Sequence, residues 1–358
     1  MSDIPPPRRG VGGAVGYAVG LGIAAILGLS AVQPLVTGNP PAVTAEPLVQ
    51  STVPSGRRPG VANIDTVLGF RNARAAGTGI VLDATGTVLT NNHVIQGATR
   101  IKVTDTDNGR SYSARVLGYS RTADIAVLRL RNATKLKPAR LGDSSKVGQG
   151  DVVTAVGNAG GRGGPPTVVT GTVMGMNESI IATDQSDGST ERLSGLIRTS
   201  APIQPGDSGG PLLDTAGRVI GIDTAASYGY HMKLGTGEGY SIPINRAMPV
   251  IRQILKGTAS PDVHIGRTAL LGVQVQASTA TGRGAAVTRV FPRTPAASAG
   301  LLPGAVIDSV DGESVDSPGK LTGLLLRHHP DDTVRIGWMD ALGRHHMANV
   351  RLAEGPAQ

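Results

Sequence analysis

The chain has 358 residues, a formal net charge of +8, no cysteine and only 3% aromatic residues. That length suits two domains with a terminal extension, and the missing cysteines exclude disulfides and thiol chemistry. The positive charge suits an anionic surface such as a cell envelope, whereas dispersed lysines and arginines with almost no aromatics to stack on bases exclude nucleic acid as the expected partner.

In chain order, Arg8 and Arg9 precede a stretch free of charge from Gly10 to Ala45, whose apolar part, residues 11–33, is long enough as a helix to span a bilayer core of about 30 Å. The expectation is a basic cytoplasmic flank at 1–10 and a transmembrane or signal helix at 11–33, with everything later outside the cytoplasm. The chain would then sit in a bacterial cell membrane as a single-pass protein, or be secreted if the segment is cleaved. Residues 34–60 hold six prolines among Ser, Thr and Gly and read as an extended linker.

Strand signals begin near Val61. "GTGIVLDATGTVLT" (77–90) reads as strand, turn, strand, and "ADIAVLRL" (123–130) alternates apolar and polar like a half-buried strand. "DVVTAVG", "PTVVTGTVMGM", "GLIRTSAPI" and "GRVIGIDTAA" continue the series, a spacing of short strands that predicts a mainly β fold of barrels or sandwiches. The first helical pattern, "INRAMPVIRQILKG" (244–257), is interrupted by Pro249. A second unit from about His264 to Glu354 has its own strands and two short helical patterns, near 295–300 and 318–329. Its size suits a small independent domain.

Three short stretches could together supply acyl-transfer chemistry, which needs a nucleophile, a base, an acid that orients the base, and amides for a developing oxyanion. "LTNNHVI" places His93 just after a strand. "TADIAVL" places Asp124 at the mouth of an apolar strand, where a carboxylate without a partner is costly. "QPGDSGGP" centres Ser208 in a turn whose glycines allow positive φ, so that the N–H groups of Gly206 and Ser208 can converge on one point. The order His, Asp, Ser in a β-rich chain favours catalysis over three incidental residues. The sequence G-x-S-x-G also fits the nucleophile elbow of an α/β-hydrolase esterase, but that fold needs a helix after the serine and the order Ser, acid, His. A non-enzymatic chaperone or peptide-binding module is the other alternative.

These motifs, with "GYSIPI" (239–244), "APIQPGDSGGPLL", "ALLGVQV" (269–275) and "TPAASAGLLPGAVIDSVDG" (294–312), resemble the chymotrypsin-fold serine proteases of the HtrA (Deg) type, in particular exported actinobacterial PepA-like members with a C-terminal PDZ domain. The resemblance runs from about residue 60 to 354. It implies a double six-stranded β-barrel protease domain at 61–257 with the active site between the barrels, followed by a PDZ domain at 264–354. His93 would be the general base, Asp124 its orienting acid and Ser208 the nucleophile, with the Gly206 and Ser208 amides as oxyanion donors. Ile203 and the segment around Tyr240 would form an apolar primary pocket for small to medium aliphatic residues, Pro202 standing where a basic-selective pocket wants a carboxylate. Thr224, Ala225 and Ala226 would pair with substrate backbone. Leu271, Gly272 and Val273 would capture a peptide carboxylate. The implied partners are polypeptide substrates, C-terminal peptides at the PDZ domain, the membrane through the N-terminal helix, and further copies in a homo-trimer, for which Phe70 is the available aromatic. The implied role is envelope protein quality control.

Two departures from the family pattern stand out. Asp207 replaces the common Asn before the serine, a side chain that need not touch the chemistry, and Ala305 replaces an Asp in the PDZ domain. No cofactor and no metal is expected. The doublets His328-His329 and His345-His346 read as surface histidines, since neighbours on a strand face opposite ways and no acidic ligand cluster accompanies them. Trp338 reads as a packed strand residue.

Overall fold

The computed structural model describes residues 58–184, 190–224, 230–232, 238–278, 282 and 284–358. The expected flank, the membrane or signal segment at 11–33, nearly all of the linker, and Ala225 and Ala226 lie outside the described residues. Among the described residues no helix is long and apolar enough to cross a membrane.

The first six strands are β1 (Val61–Leu68), β2 (Ala73–Val81), β3 (Thr87–Thr90), β4 (Arg100–Asp105), β5 (Ser111–Ser120) and β6 (Ile125–Leu130), with the one-turn helix α1 (Asn92–Ile95) after β3. They run in the order β5-β4-β1-β2-β3-β6, and a β5–β6 pairing closes the ring. The second ring follows the same plan with β7 (Val152–Gly157), β8 (Thr167–Asp184), β9 (Thr190–Thr199), β10 (Pro211–Leu213), β11 (Val219–Thr224), β12 (Tyr230–Met232) and β13 (Gly239–Pro243). Its order is β8-β7-β10-β11-β13-β9, closed by β8–β9, with β12 added outside on β8. Full closure removes the exposed edges that an open sheet would carry. These are the two six-stranded barrels that the sequence implied.

Each barrel has its own apolar filling, and a third cluster welds them together. Ile80, Leu89, Ile125 and Val127 of the first barrel pack with Val219, Ile222, Ile242 and the helix α2 (Ile244–Lys256). Strand β6 was expected to be half-buried, yet it is buried on both faces: Ala126, Leu128 and Leu130 fill the first barrel while Ile125 and Val127 face the seam. The seam thus removes from water the face that a lone barrel would expose. Helix α2 also departs from expectation, because Pro249 does not interrupt it. Ile244, Ala247, Ile251 and Ile254 bury one face, and the proline sits exposed on the other. The anchored face outweighs the one backbone hydrogen bond that proline cannot make. Gly257, at φ 70°, ends the helix with its N–H on the last carbonyls.

A short strand, β14 (His264–Ile265), pairs with β5 of the first barrel before the second unit begins. That unit holds β15 (Thr268–Leu270), β16 (Val273–Ala277), β17 (Ala285–Val290), α3 (Pro295–Ser298), β18 (Val306–Val310), β19 (Glu313–Ser314), α4 (Pro318–Leu325), β20 (Thr333–Met339), β21 (His345–Arg351) and β22 (Ala353–Gly355). Strands β16-β17-β18-β20-β21 form its sheet around a core that includes Leu271, Ile307, Leu321, Ile336 and Trp338. Strand β22 pairs with β15, which brings the two ends of the unit together. The chain then returns to the first barrel. Ala357 is buried in that barrel's core, its carbonyl accepts from the Gly97 N–H at 2.7 Å, and the Gln358 carbonyl accepts from Asn92 Nδ2 at 3.3 Å.

Candidate active site

Strand β3 leads straight into the one-turn helix α1, and His93 sits on that turn with 6% exposure. Asp124 lies at the entry of β6 with φ 51° and 2% exposure. Asp tolerates this left-handed conformation better than most side chains. Its carboxylate is fully engaged. Oδ2 lies 2.8 Å from His93 Nδ1 and accepts from Thr224 Oγ1 at 3.2 Å, while Oδ1 accepts from the His93 backbone N–H at 3.0 Å. Asn91 Nδ2 also donates to the Asp124 carbonyl at 2.9 Å. The imidazole is thereby held in one orientation, with Nδ1–H on the carboxylate and Nε2 as the atom available to take a proton.

Ser208 is fully buried in the turn ahead of β10, and two backbone contacts fasten that turn to both barrels. Thr78 N–H donates to the Ser208 carbonyl at 2.8 Å, and the Gly209 N–H donates to the Asp223 carbonyl at 2.8 Å. Gly209 has φ 84°, and a methyl group there would stand 2.2 Å from both Thr78 O and Thr90 Oγ1. Only glycine fits.

The two peptides that flank Gly206 are fixed as firmly. The Pro205 carbonyl accepts from the Gly160 N–H at 2.7 Å, and the Gly206 carbonyl accepts from Thr78 Oγ1 at 2.7 Å. Because the N–H and C=O of a trans peptide point opposite ways, the Gly160 contact turns the Gly206 N–H away from the 3-10 turn Ala159–Gly161. An N–H so turned is not spent on that turn, which an oxyanion donor requires. Gly206, at φ 100°, could carry no side chain, since a methyl would meet the Asn158 carbonyl at 2.2 Å.

Two buried carboxyls lie behind the serine. Asp207 is 2% exposed, and its Oδ2 accepts from the Gln204 N–H at 2.9 Å. Burial pushes it up to about 6 against the pull of that N–H. Asp223 is wholly buried, with Ser241 Oγ donating to Oδ1 at 2.8 Å. Burial holds it well above the usual carboxylate range; the Ser241 hydroxyl opposes this and the charge of Asp207 adds to it. Oδ1 of Asp207 and Oδ2 of Asp223 have no hydrogen-bond partner among the described residues.

Of the other expected site residues, Ile203 is buried against Gly239, where a methyl would lie 2.6 Å from its Cδ1. Tyr240 packs into the apolar cluster at the seam, and its hydroxyl donates to Glu238 Oε2 at 3.2 Å. Thr224 pairs with Tyr240 across β11 and β13, and its hydroxyl adds the contact to Asp124 that the sequence did not reveal. Gly272 has φ 92° and no room for a methyl beside Thr294. The N–H groups of Phe291 and Ala296 take up the Gly272 and Leu271 carbonyls, which shapes the loop leading into Val273. Phe70 makes an edge-on contact with Phe291 of the second unit, ring centroids 4.9 Å apart. His345 and His346 each meet an aspartate at 2.9 Å, Asp308 and Asp340 respectively, and His346 stacks on Trp338.

Thr78, Gly160 and Asn158 carried no signal in the sequence. Each acts through or upon the backbone: Thr78 Oγ1 accepts from the Asn158 N–H at 2.9 Å while donating to Gly206. A threonine in a strand looks like any other.

Twin closed barrels meeting at a buried His–Asp pair and a glycine-bound serine, with a small β domain behind them, define a trypsin-like serine peptidase fused to a PDZ domain. The trypsin-like peptidase family matches residues 77–222, and the PDZ family matches residues 269–339. The serine protease PepD of Mycobacterium tuberculosis is 31% identical over 366 residues, covering 96% of this chain and 75% of the relative. The periplasmic pH-dependent serine endoprotease DegQ of Escherichia coli is 33% identical over 268 residues, covering 73% of this chain and 56% of the relative. The chain spans about half to two thirds of the length of several curated relatives that it matches. A solved HtrA-type protease, AlgW with a tripeptide, is 30% identical with a TM-score of 0.47 over 85% of this chain and 96% of that one. The chain belongs to the HtrA family of serine proteases.

Proposed function

We propose that this chain is an exported serine endopeptidase that cleaves polypeptides through an acyl-enzyme, with its PDZ domain binding peptide C-termini. The observation that carries the reading is the His93–Asp124 pair, a 2.8 Å contact between two buried groups with the carboxylate held from three sides. Such a pair is costly unless used, because both groups leave water. Asp124 fixes Nδ1–H, so Nε2 accepts the proton of Ser208 as Oγ bonds to the substrate carbonyl carbon. The oxyanion forms against the Gly206 and Ser208 amides. The scissile C–N bond then breaks, the amine leaves with the proton from His93, and a water activated by the same imidazole hydrolyses the ester.

The periplasmic relatives and the positively flanked apolar segment at 11–33 support a place outside the cytoplasm, with that segment as signal or single membrane anchor. In this reading the protease domain is 61–257 and the PDZ domain 264–354. Envelope protein quality control, an aliphatic preference at Ile203 and homo-trimer assembly belong to the same reading. Labelling by a fluorophosphonate tests it: the intact chain should label at Ser208 and digest unfolded casein, and Ser208→Ala should abolish labelling and lower kcat on the order of 10⁶-fold. Casein digestion that survives Ser208→Ala would refute the assignment. So would a chain that binds unfolded protein but never labels.

A further inference from the structure

A cavity of about 1180 Å³ opens beside the serine turn, and Ile203 is not part of its lining. One wall is Gly160, Gly161, Pro205 and Gly206, the turn that carries the proposed oxyanion amide, and the other is the outer surface of the first barrel. The two walls touch at Ala76, whose Cβ would stand 2.7 Å from a methyl on Gly161. Two residues on, the Thr78 N–H donates to the Ser208 carbonyl at 2.8 Å. From this point the groove runs over the barrel strands, lined by Arg74, Arg100, Lys102 and Arg131.

Register explains why these cations share one surface. Ala76 pairs with Asp65 and Asp65 with Lys102, while two residues along the same strands Arg74 pairs with Val67 and Val67 with Arg100. Residues paired across strands, and residues two apart on one strand, point to the same face. The Arg131 N–H bonds the Ser113 carbonyl, which puts it beside Lys102's other neighbour. Among the described residues a single carboxylate lines the groove, Asp65, and it is already paired with Lys102 at 2.9 Å. Among the described residues Arg74, Arg100 and Arg131 have no carboxylate partner, so the groove holds an uncompensated positive field. Concave walls of low dielectric strengthen such a field.

Ile203 and Thr224, the residues proposed to meet the acyl part of a substrate, do not line this groove. We infer that the basic groove is the leaving-side subsite of this protease and that it selects substrates with acidic residues after the scissile bond. The inference rests on the proposed peptidase reading. Position follows from strand geometry: Arg74 stands about 7 Å from Ala76 along β2, and Arg100 about 12 Å away across two strands. An extended substrate advances about 3.3 Å per residue, which places the preference at the second to fourth residues after the cut.

The test uses the intact chain and three quenched peptides built on one cleavage site mapped in casein, with Glu-Glu, Ala-Ala or Lys-Lys at the third and fourth positions after the cut. The expected kcat/KM ratio of Glu-Glu to Ala-Ala is about 5- to 30-fold at low salt, with Lys-Lys poorer than Ala-Ala. Near 0.5 M salt the ratio should shrink several-fold, since screening acts on exposed charges. Arg74→Glu with Arg100→Glu should invert the order, and Arg100→Ala alone should reduce it. Taking ratios within each protein cancels differences in active fraction. A ratio at or below 1 in a chain that labels at Ser208, or a wild-type ratio in the double variant, overturns the inference while leaving the peptidase reading intact. A chain that neither labels nor cuts any of the three overturns both.

Discussion

The carboxyl next to Ser208, the proposed nucleophile, offers a quantitative test, through Asp207→Asn. Its charge is 2% exposed and has one N–H for company, and its pKa is pushed from 3.8 up to about 6. Below pH 3.8 the carboxyl is protonated in both folded and unfolded chains and adds no pH dependence. Between 3.8 and 6 the unfolded chain releases the proton while the folded chain keeps it, so stability falls as pH rises. Above 6 both states are charged, and the folded state carries a constant penalty of about 3 kcal/mol as an upper bound. Asparagine is nearly isosteric, can still accept from the Gln204 N–H, and never pays for ionisation. The variant should match wild type near pH 4 and exceed it by about 1 to 3 kcal/mol at pH 8, which is several degrees in Tm for a domain of this size. Calorimetric melts of both proteins across pH 4 to 8 measure the difference directly. A gap that is absent at pH 8, or largest at pH 4, would refute the buried-charge argument.

Three further outcomes follow from the site. Asp124→Asn should leave the fold intact but remove the acceptor for Nδ1–H, lowering kcat on the order of 10⁴-fold in a peptide-hydrolysis assay. Thr78→Val keeps the shape of the side chain but strands the Gly206 carbonyl and the Asn158 N–H; kcat and the rate of Ser208 labelling should fall about 10-fold or more with little change in KM. A rise in KM alone would mean that Thr78 does not position the Gly206 peptide. Gly272→Ala forces a methyl onto Thr294 at positive φ, and affinity for a peptide with a free C-terminus should drop at least about 10-fold by fluorescence anisotropy. An amidated peptide serves as the reference, and equal loss for both would show that the loop does not read the carboxylate.

His93, Asp124 and Ser208 were legible because each stands in a short stretch whose chemistry is local: a histidine closing a strand, an acid at an apolar entrance, a serine among glycines. The barrels were legible from strand spacing, and their closure from the family resemblance. What stayed hidden depends on long-range contact. Nothing in "ADIAVLRL" announces that its second face would meet another barrel, so β6 read as half-buried. Thr78 and Gly160 act on the two peptides that flank Gly206 from more than forty residues away in sequence, through groups every residue or many threonines possess. Asp207 read as remote from the chemistry because its burial comes from folding around it. Pro249 read as a break because local propensity, unlike the packing of Ile251 and Ile254, is written next to it.

The return of residues 356–358 to the first barrel bears on how this protein should be dissected. A protease fragment cut ahead of Thr268 would lose the plug supplied by Ala357 and the tether from Gln358 to Asn92, the neighbour of His93, the proposed general base. Slower turnover in such a truncation would therefore report a hole beneath the imidazole's own platform as much as a missing peptide receptor. Point changes in the Gly272 loop, made in the whole chain, separate the two.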